Sequence, residues 1–194
     1  MGANWETGAG AIAAENRALR WLADLAGLPE SAGGVFVSGG SAANLSALAT
    51  ARSRHRRLHG STGRCTVAAT GEVHSSVRAA ANVMYLDVLP VATDASGRMT
   101  ADALRAAIVD FDARGGADLI AVAATGGTTN AGVVDDLDGI ADVCDERDLW
   151  LHVDGAYGLA ALCSRTARDA FRGIERVDSF GIDPHKWQIG RAHV

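Results

Sequence analysis

The stretch Leu149-Trp150-Leu151-His152-Val153-Asp154 decides the fold of this chain. It is a short apolar run that ends in an acid, which is typical of a buried strand. The carboxyl ends of the strands in an open α/β sheet form the edge at which ligands bind. We therefore predict that Asp154 emerges at a ligand-binding edge. His152 precedes Asp154 by two residues and shares its face of the strand, so we interpret His152 as a structural neighbour of the site rather than a metal ligand.

Outward from this stretch, short apolar runs alternate with helical patterns. This alternation predicts an α/β fold with a mainly parallel sheet flanked by helices. Strands are predicted at residues 34–37, 65–69, 85–88, 119–124, 149–154 and 179–182. Helices are predicted at residues 11–26, 74–81, 101–113 and 137–148, and a further helix after Ser41 would carry Leu45 and Leu48. The predicted N-caps of three of these helices are Ser41, Thr100 and Asp136.

The composition favours a globular protein, with 48% hydrophobic and 21% charged residues among 194. The net charge of −5 gives no electrostatic reason to expect nucleic acid or an anionic membrane as a partner. The sequence contains neither a run of about 20 apolar residues, as a membrane helix needs, nor a signal peptide. Its three cysteines show no paired spacing and fit reduced thiols, so we expect a cytoplasmic protein without a metal site.

A glycine-rich turn, Ser38-Gly39-Gly40-Ser41, joins a predicted strand to a predicted helix. Glycines let the backbone approach an anion closely, and the start of a helix offers free N–H groups and a favourable dipole. The turn matches neither the Walker loop nor the dinucleotide fingerprint. Taken alone it indicates phosphate binding only weakly.

A third element follows the last predicted strand, where Asp183-Pro184-His185-Lys186 precedes Trp187. A lysine at the end of a strand beside an aromatic residue is a candidate Schiff-base nucleophile, although most lysines in such a place are simply solvated. The turn at residues 38–41, called the cradle below, matches one part of pyridoxal 5′-phosphate (PLP), and the acid Asp154 and the lysine Lys186 match two others. These parts are the phosphate, the pyridinium nitrogen and the aldehyde.

Several ordered motifs carry a family resemblance that covers nearly all of residues 5–188. They are GVFVSGGSAANLSAL, HSSVRAA, AATGGTTNAGVVDDL, WLHVDGAYG and DSFGIDPHKW. The chain resembles the group II PLP-dependent decarboxylases, which act on aromatic amino acids, glutamate and related amino acids. The resemblance implies PLP fold type I, similar to aspartate aminotransferase, with an incomplete large domain. We expect an N-terminal helical segment at residues 1–30, the PLP-binding domain at 31–188 and a non-native tail at 189–194, which matches a translated sequencing adapter.

The resemblance also implies roles for individual residues. Lys186 would be the Schiff-base lysine, Asp154 the partner of the pyridine nitrogen, and His74 the residue that stacks on the ring and positions the substrate carboxylate. A helix-capping role is the structural alternative for His74. The remaining cofactor contacts would come from Gly39, Gly40, Ser41, Thr129, Ala156, Asp183 and His185.

The implied reaction is the decarboxylation of an L-amino acid, with a homodimer expected for the full-length protein. The residues do not say which amino acid is the substrate. Two departures from the family pattern are Ala42, where Glu is common, and Gly155, where Ala is usual. The alternatives are a PLP-dependent aldehyde synthase, a fold-type-I lyase of the sphingosine-phosphate kind, or a truncated chain without catalytic activity.

Overall fold

The structure is a computed structural model that describes residues 5–116 and 118–187. It divides into two compact units, residues 1–37 and 38–194. The domain boundary that the sequence places after residue 30 stays a prediction, and the predicted non-native tail at 189–194 lies outside the described residues. None of the helices among the described residues has the length and apolarity that crossing a bilayer requires.

The first unit contains α1, Trp5–Leu25, which begins six residues before the predicted start. Residues 34–37 do not form the predicted strand. Val35, Phe36 and Val37 are 66%, 48% and 39% exposed, and the Phe36 N–H donates to the Glu15 carboxylate. The prediction was wrong because an apolar, β-branched run favours an extended backbone, whereas a strand also needs a partner for its hydrogen bonds.

The second unit is built on a five-stranded parallel sheet in the order β2-β1-β3-β4-β5. The strands are β1 Thr66–Thr70, β2 Asp87–Val91, β3 Leu119–Thr125, β4 Trp150–Asp154 and β5 Ser179–Gly181. The predicted α/β class with a parallel sheet is confirmed. Strand β2 begins later than the predicted residues 85–88 because Tyr85 adopts a left-handed turn conformation. Pro90 is tolerated in β2 because this is an edge strand.

Helices follow the strands as parallel crossovers require. They are α2 Gly40–His59, α3 Ser75–Val83, α4 Ala101–Ala113, α5 Leu137–Arg147 and α6 Pro184–Trp187, with three short 3₁₀ helices between β4 and β5. Leu48 and Ala51 of α2 pack with Val77 of α3 against Val67 and Ala121 of the sheet. This packing fixes the start of α2 beside the carboxyl ends of β4 and β5.

The helix caps test the local predictions. Thr100 accepts a hydrogen bond from the Ala103 N–H and Asp136 accepts one from the Gly139 N–H, so both predicted N-caps are confirmed. The predicted cap at Ser41 was wrong, because α2 begins at Gly40 and its N-cap is Gly39, with φ of 124°. A side chain at residue 39 would be strained in that left-handed region.

A buried carboxylate joins the end of β3 to the loop before α4. Asp135 accepts the Met99 N–H through Oδ1 and the Thr125 N–H through Oδ2, both at 2.7 Å. Burial nevertheless raises the pKa of Asp135 to about 6. Because the folded pKa lies above the unfolded value, this carboxyl group contributes most to stability below the unfolded pKa and less as the pH rises through the folded pKa.

Asp135→Asn should therefore remove a pH dependence of stability. We expect the free energy of unfolding of the parent, minus that of Asp135→Asn, to be smaller at about pH 7 than at about pH 5. Denaturant unfolding at both pH values measures the difference. Asp110→Asn, at an exposed position on α4, is the control and should show the same difference at both. A difference that grows toward neutral pH would contradict the raised pKa.

Candidate functional site

A cavity of about 230 Å³ opens at the carboxyl ends of the central strands. Thr125 of β3, Asp154 of β4 and Gly181 of β5 are level with one another in the sheet register. The start of α2, the start of α3 and the α6 turn close the cavity. It is lined by Gly40, Ser41, Asn44, Glu72, His74, Ser76, Thr125, Gly127, Thr128, Thr129, Asp154, Ala156, Tyr157, Asp183 and Lys186.

Most of the residues predicted from sequence meet in this cavity. Those that line it are Gly40, Ser41, His74, Thr129, Asp154, Ala156, Asp183 and Lys186. Gly39 is not among the lining residues, but it is the N-cap that starts α2 at the cavity wall. The side chain of His185 lies outside the described residues. The fold thus brings the cradle together with the acid and the lysine, which follow it by more than 100 residues in the chain.

The Asp154 carboxylate is buried, with 6% of the residue exposed. Its Oδ2 accepts a hydrogen bond of 2.7 Å from Asn44 Nδ2, and its Oδ1 accepts one of 3.2 Å from the Ala156 N–H. These two hydrogen bonds fix the orientation of the carboxylate. An oriented carboxylate at this position suits a cationic ring nitrogen.

The N-terminus of α2 forms another wall of the cavity. Gly40 approaches Ala156 so closely that a Cβ built on residue 40 would lie 3.2 Å from the Ala156 Cβ. A larger residue at position 40 would therefore press on the segment that follows Asp154. The first N–H groups of a helix have no partner within the helix, so this wall can bind an anion.

His74 caps α3 and lines the cavity at the same time. Its Nδ1 accepts the Ser76 N–H at 3.2 Å and lies 2.8 Å from the Ser76 hydroxyl. The sequence offered capping as an alternative to a role in the site. The two are compatible, because the same ring caps α3 and lines the cavity. Capping fixes the ring orientation, because Nδ1 is committed to α3.

His152 lies beneath Asp154 on the same face of β4, as predicted. It is 1% exposed, with Nε2 2.9 Å from Asn44 Oδ1 and Nδ1 2.9 Å from Ser179 Oγ. Burial lowers the pKa of His152 to about 4, although the charge of Asp154 opposes that shift. His152 is therefore neutral near physiological pH.

The threonines of the AATGGTTN segment differ in their contacts. Among the described residues, the Thr125 Oγ1 is a buried side-chain oxygen with no hydrogen-bond partner, and it lies on the cavity wall. Thr128 Oγ1 accepts the Val133 N–H and shapes the turn. An unsatisfied hydroxyl beside a polar cavity is a position at which a ligand gains a hydrogen bond.

Sequence reasoning missed several lining residues, chief among them Asn44, Ser76 and Thr125. One signal was available for Asn44: a polar residue three positions after Ser41 lies about one helical turn inside the helix, on the face of the cradle. Ser76 and Thr125 gave no comparable signal. Serine after a helix start and threonine at the end of a strand are common without any function.

Gly155 departs from the family pattern for a reason that the structure shows. A Cβ at residue 155 would overlap the side chain of Leu159, which is fully buried. The Gly155 N–H donates to the Gly181 carbonyl, so the backbone is held against β5. Leu159 thus fills the space that an alanine side chain at this position would need.

The chain matches the family model described as the pyridoxal-dependent decarboxylase conserved domain over residues 1–194, and it belongs to that family. Relatives include the aromatic-L-amino-acid decarboxylase of Bacillus atrophaeus, 40% identical over 94% of this chain and 38% of that protein. The L-2,4-diaminobutyrate decarboxylase of Rhizobium meliloti is 37% identical over 94% of this chain and 37% of that protein. The chain thus spans less than two fifths of the length of these relatives.

Solved structures agree with this assignment. A glutamate decarboxylase domain from Vibrio parahaemolyticus superposes with a TM-score of 0.87 and 33% identity, covering 94% of this chain and 42% of that one. Oryza sativa TDC, solved with PLP, superposes with a TM-score of 0.83 and 29% identity, covering 95% of this chain and 43% of that one. Rhodiola rosea 4-hydroxyphenylacetaldehyde synthase superposes with a TM-score of 0.84 and 28% identity, covering 96% of this chain and 43% of that one. The predicted fold and family are confirmed.

The residues of the cavity fit the cofactor of this family, so the predicted cofactor, PLP, is confirmed. The chain offers a helix N-terminus for a phosphate, a buried carboxylate for a ring nitrogen, a primary amine for an aldehyde and an unsatisfied hydroxyl, all on one cavity. The roles of the individual residues remain predictions.

Proposed function

We propose that this chain carries the cofactor site of a PLP-dependent carboxy-lyase that removes the carboxylate of an L-amino acid through a Schiff base at Lys186. The observation that carries the proposal is the buried Asp154 carboxylate, oriented by two hydrogen bonds in the same cavity as Lys186. This arrangement suits a cofactor whose ring nitrogen must stay protonated. The substrate class follows the relatives, which act on several different amino acids.

Each wall of the cavity has a task in this reaction. The N-terminus of α2, with Gly39, Gly40 and Ser41, would bind the phosphate, with His185 close to it and Asp183 near the phosphate or Lys186. Asp154 would hold a proton on the ring nitrogen, and PLP, when bound, would supply an electron sink for the Cα–carboxylate bond. Ala156 would pack on one ring face, and Thr129 would lie near the ring substituents.

Two residues act on the substrate in this proposal. The Lys186 amine would hold the cofactor aldehyde until the amine of the incoming amino acid replaces it. His74, held by its cap on α3, would pack on the other ring face and position the substrate carboxylate. Loss of that carboxylate as CO₂ and return of a proton to Cα would give the amine.

A second candidate is an aldehyde synthase, which the similarity to the Rhodiola rosea enzyme favours. Such an enzyme consumes oxygen and water and releases an aldehyde, CO₂, ammonia and hydrogen peroxide. A decarboxylase releases only the amine and CO₂. The homodimer and the cytoplasmic location stay predictions.

The experiment that tests the proposal has two stages. The purified chain is first titrated with PLP and followed by its visible absorbance. It is then incubated with a panel of L-amino acids, and the products are identified. Amine with CO₂ supports the carboxy-lyase, and aldehyde with peroxide supports the synthase. A chain that binds PLP but releases neither product from any amino acid would contradict both and support the third alternative, a truncated chain without catalytic activity.

A further inference from the structure

Asn44 lies at the centre of a buried polar network beneath the cavity. It belongs to α2 and is 1% exposed. Its amide contacts three residues on two other elements: Ser76 of α3, and His152 and Asp154 of β4. A buried amide so placed must satisfy its donors and its acceptor within the protein.

Counting donors fixes the orientation of this amide. Nδ2 has two hydrogens and lies 2.7 Å from Asp154 Oδ2 and 2.9 Å from Ser76 Oγ, so both hydrogens are used. The flipped amide would turn an oxygen toward the Asp154 carboxylate, where two acceptors would repel each other. Oδ1 must therefore accept a hydrogen, and it lies 2.9 Å from His152 Nε2.

The same argument fixes the proton on His152. Because Oδ1 of Asn44 accepts, Nε2 of His152 carries the hydrogen and Nδ1 is the acceptor. Ser179 Oγ, 2.9 Å away, then donates to Nδ1 and accepts the indole N–H of Trp150 at 2.8 Å. Each donor along this branch finds one acceptor.

The other branch ends at His74. Ser76 Oγ accepts from Asn44 and therefore has its own hydrogen free to donate to His74 Nδ1 at 2.8 Å. That nitrogen also accepts the Ser76 backbone N–H. In neutral His74 the remaining hydrogen is on Nε2, the nitrogen that is not used in capping α3.

We propose that Asn44 is a positioning residue for the cofactor, since its one amide orients both the Asp154 carboxylate and, through Ser76, the His74 ring. This inference rests on the proposed function, in which Asp154 contacts the ring nitrogen of the cofactor and His74 packs on a face of the ring. Asn44 would act on the reaction by holding these two neighbours in place. The network makes the two contacts interdependent, because loss of the amide releases both at once.

Three variants test this inference. Asn44→Leu removes the amide at similar size, and Asn44→Thr keeps one hydroxyl that can still donate to Asp154. Asn82→Leu makes the same change at an exposed position on α3 and is the matched control. For each, the PLP dissociation constant and the position of the visible absorbance band are measured at a temperature at which thermal unfolding shows the variant folded.

We expect Asn44→Leu to raise the PLP dissociation constant by about tenfold or more and to shift the band. Asn44→Thr should fall between Asn44→Leu and the parent, and Asn82→Leu should match the parent. If Asn44→Leu lowers only the unfolding temperature, with both PLP readouts unchanged, Asn44 is a core residue and the inference is wrong.

A measurement without cofactor separates this inference from the proposed function and does not depend on a variant that folds. Nitrogen-15 NMR of the histidine rings in the PLP-free parent should show His152 and neutral His74 each with the hydrogen on Nε2. A hydrogen on Nδ1 of either ring would overturn the network, whether or not PLP binds. A parent that fails to bind PLP but shows the expected ring protonation would overturn the cofactor role of Asn44 together with the proposed function, leaving the network itself intact.

Discussion

Replacing Lys186 by arginine or alanine is expected to abolish the covalent attachment of PLP. The reason is chemical, because only a primary amine forms a Schiff base with the cofactor aldehyde. Lys186 is the only lysine in the sequence; the other 17 of its 18 basic residues are arginines. Apart from the α-amino group at the start of the chain, no other group competes for the aldehyde.

Reduction with borohydride makes this result measurable. The parent, loaded with PLP and reduced, should carry one pyridoxyl group on the peptide that contains Lys186, detected by mass spectrometry. Lys186→Arg keeps the positive charge and should carry none on that peptide. Adding Arg168→Lys, at an exposed position outside the cavity, to the Lys186→Arg variant controls for random labelling. Labelling of the parent at the α-amino group alone would refute the assignment of Lys186.

Asp154→Ala is expected to leave some PLP bound but to lower turnover by a factor on the order of 10² or more, the usual effect of removing one preorganised electrostatic group. Without the carboxylate, nothing at the end of β4 holds the proton on the ring nitrogen. The change also leaves the Asn44 donor and the Ala156 N–H without their acceptor. PLP binding should weaken less than turnover, because the phosphate contacts and Lys186 remain.

Turnover is measured as CO₂ release from the best amino acid of the panel, in the PLP-loaded protein. Asp110→Ala, at an exposed position on α4, is the control for loss of an acid and should match the parent. Turnover near the parent value in Asp154→Ala would show that the ring nitrogen does not depend on this carboxylate.

Much of the fold could be predicted because its signals are local. Short apolar runs in the sequence indicate the parallel strands. Thr100 and Asp136 cap helices by accepting hydrogen bonds from residues three positions later. The wrong predictions depend on contacts that the residue type does not specify. Residues 34–37 have the composition of a strand but do not form one, and Ser41 has the chemistry of a cap but lies two residues past the actual cap, Gly39.

The same distinction holds for the site. By itself the sequence determined the family, the cofactor and the residues whose chemistry is visible in their type, above all Asp154 and Lys186 at the ends of strands. Only the tertiary structure decided how these groups are held. Asn44 reaches Asp154 across 110 positions and His152 across 108, and such contacts exist only once α2 packs on the sheet. A hydrogen bond depends on distance and direction between two groups, and a residue type specifies neither.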